Sequence, residues 1–106
     1  MARAIVKVPS QAKRGEIVEI RTLASHTMET GFRHSETGKL IPRDIITRFV
    51  CTYNGVEIFS AELHPAMAAN PLISFTTVAT ESGALEFKWT GDNGYAVTES
   101  AKISVA

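Results

Sequence analysis

The sequence predicts an all-β fold, an immunoglobulin-like β-sandwich of about seven antiparallel strands. Three observations point there. Apolar side chains recur at every second position through most of the chain, the period of a strand with one buried face. The runs that carry this period are rich in β-branched and aromatic residues, which pack well on a pleated surface. Between them fall pairs such as Asn54-Gly55, suited to a hairpin turn whose two central positions both need positive φ.

The elements follow in order. Residues 4–8 and 15–24 read as the first two strands; within "IVEIRTLA", Val18 and Ile20 oppose Glu19 and Arg21. The third, 44–53, places Thr47, Phe49, Cys51 and Tyr53 on one face and Arg48, Val50 and Thr52 on the other. Asn54-Gly55 then turns the chain into a fourth strand, 56–63. Strands at 72–80, 84–90 and 95–105 complete the set. "LEFKWT" alternates most cleanly, with Leu85, Phe87 and Trp89 against Glu86, Lys88 and Thr90. The last strand groups Tyr95, Val97, Ala101, Ile103 and Val105 against Thr98, Ser100, Lys102 and Ser104. Ser82-Gly83 and the "GDNG" of 91–94 read as tight connections of the same kind as Asn54-Gly55. No segment reads as a helix of useful length. A chain of 106 residues is expected to form one domain, 1–106, with a core but no room for a second.

Charge narrows the function classes. Eleven basic and eleven acidic residues cancel, and the basic ones are scattered, so nucleic acid is not an expected partner. No apolar run approaches the roughly 18–20 residues that span a bilayer, so no membrane role is expected either. The start, "MARAIVKVPS", has only a short apolar patch interrupted by Lys7 and does not read as a signal peptide. Export as the passenger of a signal-bearing partner would leave the same signature.

One strand departs from simple alternation. "VEIFSAEL" puts Val56 and Ile58 on one face but Phe59, Ala61 and Leu63 on the other. A regular strand apolar on both faces needs a loop or another chain to cover the second. Val56, Ile58 and Phe59 are therefore candidate partner anchors, since large buried apolar groups dominate such interfaces.

The segment 25–44, "SHTMETGFRHSETGKLIPRD", holds the densest set of chemically capable side chains. Its His-x2-Glu-x4-His spacing (His26, Glu29, His34) matches no strong metal-ligand pattern, and loop ligands are not preorganised by one element. A blue-copper set would need two His, a Cys and an axial Met. Here Cys51 sits in mid-strand, His64 lies thirteen residues further on beyond a hairpin, and Met67 follows. Cys51, the one cysteine, is expected to be a small buried hydrophobe with a raised thiol pKa. No Gly-rich phosphate cradle or paired-carboxylate set appears, so neither a cofactor nor a catalytic residue is expected. The class-different alternative is an independent metal protein or enzyme using His26, Glu29, His34 or Cys51. Otherwise the segment is a long crossover whose Met28, Glu29, Phe32 and Arg33 are a second candidate interface.

The order of residues in "HTMETGFRHSETGKLIPRDIITRF" (26–49) resembles the SoxZ family, small subunits of the thiosulfate-oxidation carrier complex. "VEIFSAELHPAMAANPLISF" (56–75) and "WTGDNGYAVTESAKISV" (89–105) extend the resemblance over essentially the whole chain. It implies an immunoglobulin-like subunit that forms a heterodimer with SoxY, which carries sulfur intermediates on a cysteine of a Gly-rich C-terminal arm. This chain ends "KISVA", without such a cysteine. The resemblance therefore implies a non-catalytic, non-loaded partner that helps present bound sulfur to visiting Sox enzymes. It also implies a periplasmic location, reached by co-export with the signal-bearing subunit.

Overall fold

The structure is a computed structural model that describes residues 4–106. Met1, Ala2 and Arg3, part of the segment read above for a signal, lie outside the described residues. Among the described residues, eight strands form two sheets: β1 (Ala4–Lys7), β2 (Gln11–Ala12), β3 (Ile17–Ala24), β4 (Ile46–Tyr53), β5 (Val56–Glu62), β6 (Leu72–Val78), β7 (Gly83–Gly91) and β8 (Ala96–Val105). One sheet has the order β1-β3-β6 and the other β2-β8-β7-β4-β5. The layout is the expected immunoglobulin-like sandwich with one strand more than expected. The extra strand, β2, is only two residues long and pairs parallel with the end of β8, too short to leave a periodic signature.

Alternation positions the core. β3 buries Val18, Ile20, Thr22 and Ala24 and exposes every residue between. Across the sandwich, Leu85, Phe87 and Trp89 of β7 face inward beside Phe49, Cys51 and Tyr53 of β4. Phe49 lies at its centre, 5.1 Å from the ring of Trp89 and 6.3 Å from that of Phe87. Thr22, the buried polar residue here, donates its hydroxyl to the Ile73 carbonyl at 3.0 Å, which removes the cost of burying it.

Two register shifts break strict alternation. In β4 the pairing with β7 slips between Ile46 and Arg48, so Ile46 is buried while Thr47 is only half-buried. Thr47 thus does not join the face of Phe49 and Cys51 as the period implied. In β5, Cys51 pairs with Phe59 but Thr52 pairs with Glu57, leaving Ile58 without a counterpart. That bulge returns Val56 to the side of its partner Tyr53, which is buried. The apolar residues of both parities are reconciled by the extra residue rather than by two covered faces.

The turns divide in the same way. Asn54 and Gly55 have φ of 49° and 82°, as the β4–β5 hairpin requires. Asn54 also reaches sideways: its Oδ1 accepts the Ala84 N–H at 3.0 Å, and any side chain at Gly83 would collide with it. Ser82-Gly83, however, is not a hairpin turn, because β6 and β7 belong to different sheets and the segment 79–82 crosses between them. Between β7 and β8 the chain makes a 3₁₀ turn, Asp92–Gly94, with Asn93 at φ 57°.

Candidate partner-binding site

The segment 25–44 crosses from β3 in one sheet to β4 in the other, and it is folded rather than slack. Glu29 and Asp44 exchange two backbone hydrogen bonds of 2.8 Å, His34 bridges Leu40, and Arg33 accepts the Ile41 N–H at 2.8 Å. The chain therefore runs out and back as a finger with its tip at 35–39. The molecule measures 59 × 22 × 21 Å, whereas a ten-residue strand spans only about 33 Å.

Its root is locked on several sides. The Arg43 guanidinium donates two hydrogen bonds to Asp92, at 2.8 and 2.9 Å, and Asp92 also accepts the Ile45 N–H. Those bonds, the Arg43 pair first, hold the Asp92 carboxyl below its ordinary pKa. Met28 is buried, and its sulfur accepts the Ile46 N–H at 3.3 Å. His26 is tucked under the finger. Its Nδ1 accepts the Met28 N–H at 2.9 Å, its ring stands edge-on to Tyr95 at 4.7 Å, and Nε2 lies 3.6 Å from Asp44. His26 also ties this end to the β5–β6 loop, donating its backbone N–H to the Asn70 side chain and accepting the Asn70 N–H.

These bonds decide where the sequence-derived candidates stand. Glu29 is occupied by Arg33, which donates three hydrogen bonds to it, the shortest 2.7 Å; the contact lowers the Glu29 pKa and raises that of Arg33. His34 lies exposed on the outer part of the finger, away from His26 at its root, whose side chain is nearly buried. Among the described residues no group of three or more His, Cys, Asp or Glu side chains is placed to hold a metal ion. Cys51 is fully buried, and burial pushes its thiol pKa up to about 12. Phe32 is 78 % exposed and Leu40 58 %, both carried on the finger. Of the four finger candidates, Phe32 and the outer part of Arg33 face solvent, while Met28 and Glu29 brace the structure beneath them.

A second apolar feature lies along one long side of the sandwich. β5 and β6 are the outermost strands of their sheets on that side, and neither has a strand partner on its outer edge among the described residues. A cleft of about 490 Å³ opens between them, lined by Val56 and Ile58 of β5 and by Thr77 and Val78 of β6. Val56 is 66 % exposed there. Phe59 points inward instead and stacks on Phe75 of the facing sheet at 4.4 Å with nearly parallel rings. The alternation in "VEIFSAEL" located this strand as unusual but gave no sign of β6 as the other wall. That information lies in the pairing order of strands distant in sequence.

The comparison with protein families decides the affiliation: the model described as sulphur oxidation protein SoxZ matches residues 6–102. The chain belongs to the SoxZ family. That membership makes it a subunit of the Sox sulfur-oxidation carrier complex. No curated protein matches the chain in sequence. Among solved structures, a superoxide reductase (neelaredoxin) from Ignicoccus hospitalis superposes with a TM-score of 0.77 at 16 % identity, covering 99 % of this SoxZ-family chain and 81 % of that one. A putative superoxide reductase from Thermotoga maritima gives 0.73 at 16 % identity, over 97 % and 85 % of the two chains. The sulfur carrier protein SoxY from Chlorobium limicola f thiosulfatophilum gives 0.69 at 14 % identity, over 100 % of this chain and 81 % of that one. At such identities these likenesses show a shared fold and carry nothing of the neighbours' chemistry.

Proposed function

We propose that this chain is the non-loaded, non-catalytic subunit of a periplasmic heterodimer with SoxY, which presents cysteine-bound sulfur intermediates to visiting Sox enzymes. The observation that carries this reading is Cys51. A sulfur carrier needs a thiolate that can reach a donor and then an enzyme. The chain's one cysteine is fully buried with a thiol pKa of about 12, so at neutral pH its thiolate fraction is negligible. Within a SoxZ-family chain this supports loading of sulfur on the partner.

The partner docks on the open side of the sandwich. Unpaired strand edges at β5 and β6 offer backbone hydrogen bonds, and the cleft at Val56 and Ile58 offers an apolar seat. Phe59 holds the cleft wall through Phe75. The finger, with Phe32 and Arg33 exposed and Met28 and Glu29 bracing them, meets either the partner or a docking enzyme. Val56→Asp with Ile58→Asp tests the reading by co-purification with tagged SoxY. Binding should fall at least about tenfold, since a charge in an apolar interface core is left unpaired. Val56→Asp alone, at a 66 % exposed site, should do so with the thermal midpoint barely moved, whereas Ile58→Asp, at a position half-buried against the core, should also lower the midpoint. Unchanged binding would remove the cleft from the interface.

A further inference from the structure

The chain has three histidines; His34 and His64 are exposed, whereas the His26 side chain is only 7 % exposed. Histidine is the side chain whose charge ordinarily changes between about pH 5 and 8. The bonds around His26 treat its two protonation states differently. Its Nδ1 accepts the Met28 N–H at 2.9 Å, which only an unprotonated nitrogen can do. The proton of the neutral ring then sits on Nε2, the nitrogen 3.6 Å from the Asp44 carboxylate.

The bond to Met28 spans two residues, as in an Asx turn, and it holds a strained position. Met28 is buried and has a φ of 53°, the left-handed region that non-glycine residues seldom occupy. The next residue, Glu29, opens the backbone bridge to Asp44. The backbone of His26 is not free to follow the ring, because Asn70 grips it twice. His26 donates its N–H to the Asn70 side chain at 3.0 Å and accepts the Asn70 N–H at 2.7 Å. A change at the ring therefore falls on Met28.

Protonation places a second hydrogen on the ring, at Nδ1, facing the Met28 N–H. Two donors cannot share that contact, so the bond is lost. Burial opposes the added charge, but acids on two neighbouring elements favour it. Asp44, on the returning limb of the finger, lies beside Nε2, and Asp92, on the turn between β7 and β8, is close enough to feel the charge. Arg43 belongs to the same group, but two hydrogen bonds commit it to Asp92. The remaining contact, with the Tyr95 ring, is edge-on. Each form of the imidazole thus has its own partner, the backbone for the neutral ring and Asp44 for the charged one.

We infer that His26 is a pH-sensitive latch on the finger: the neutral ring holds Met28, and the protonated ring turns to Asp44 and releases it. Release loosens the outgoing limb, which carries Phe32 and Arg33 to solvent, while the Arg43–Asp92 pair still holds the returning limb. The step falls in the histidine range, above the range in which carboxylates lose their charge.

An NMR titration of the full chain from about pH 4.5 to about 8.5 tests the latch. The His26 ring nitrogens should report the Nε2–H tautomer at high pH and a doubly protonated ring at low pH. The Met28 amide should shift with the same midpoint. Its hydrogen-exchange protection, corrected for the intrinsic rate, should fall about fivefold, the weight of one hydrogen bond, with Phe87 and Trp89 unchanged. His26→Asn keeps an acceptor for the Met28 N–H that does not titrate, so the step should vanish with the finger ordered throughout. Asp44→Asn retains the backbone bridge to Glu29 but removes the acid, and should lower the midpoint. His34→Asn and His64→Asn should keep the step. A Met28 amide that does not follow the His26 ring overturns the inference, as does a ring that stays neutral across the range. So does a step that persists in His26→Asn, disappears in His34→Asn or His64→Asn, or keeps its midpoint in Asp44→Asn. Circular dichroism reports whether each variant is folded, and the wild-type titration decides the matter even where one is not.

Discussion

The sandwich core and the finger hold themselves together by different means. In the core, Phe49, Phe87 and Trp89 are fully buried with ring centres within 6.5 Å of one another. In the finger, Phe32 is 78 % exposed, and order comes from backbone bridges and from the Arg43–Asp92 and Arg33–Glu29 pairs. Apolar burial makes the first region insensitive to salt and to mild acid. Directional, charge-assisted bonds shape the second, leaving its apolar groups free to meet something else. The contrast separates residues that maintain the fold from residues that present a surface.

Truncation in the core should have the largest effect. Phe87→Ala removes a fully buried ring and should cost about 3–5 kcal/mol of unfolding free energy in chemical denaturation. A loss under about 1 kcal/mol would mean the core is far looser than its packing implies.

Cys51 gives a smaller effect with a defined sign. Its folded pKa of about 12 lies above the ordinary thiol value of about 8.5, so the stability linked to its proton is complete below pH about 8.5. Above that, the unfolded chain releases the proton while the folded chain retains it. Stability should therefore fall by up to about 1.4 kcal/mol per pH unit between roughly pH 8.5 and 12. Cys51→Ala should lose that alkaline slope; identical slopes in the two proteins would mean that the thiol is not sequestered.

The finger responds to opposite conditions. Arg43→Ala should speed hydrogen exchange at the amides of Glu29 and Asp44 while leaving Phe87 and Trp89 protected. Acid should do the same. The depressed carboxyl groups of Asp92 and Glu29 contribute fully above the ordinary carboxylate range, about pH 4, and lose that contribution as pH falls through their lowered folded values. Equal loosening of core and finger in either experiment would erase the distinction between them. The smallest effect is expected at Phe32→Ala, with stability changed by no more than about 0.5 kcal/mol but docking to SoxY or a Sox enzyme weakened. A clear loss of stability there would make Phe32 a structural residue.

The same two regions differ in how legible they are in the sequence. The core is written in period two, so Val18, Ile20, Phe49, Leu85, Phe87 and Trp89 can all be picked from alternation. Asn54-Gly55 can be picked from turn chemistry. Thr47 and Val56 cannot be placed that way, because single-residue bulges reverse the parity and depend on the neighbouring strand. The cleft is hidden for a related reason: its walls, β5 and β6, are brought together by sheet order and not by spacing. In the finger, composition drew attention to His26, Glu29 and His34. Only the fold reveals that Glu29 is occupied by Arg33, that His26 packs against Tyr95 and that His34 lies on the exposed side.

The most direct test of the account is intact-mass spectrometry of both subunits after the chain, bound to SoxY, has turned over thiosulfate with the Sox enzymes. The account predicts sulfur-containing adducts on the SoxY cysteine and an unmodified mass for this chain. An adduct on Cys51 would contradict it.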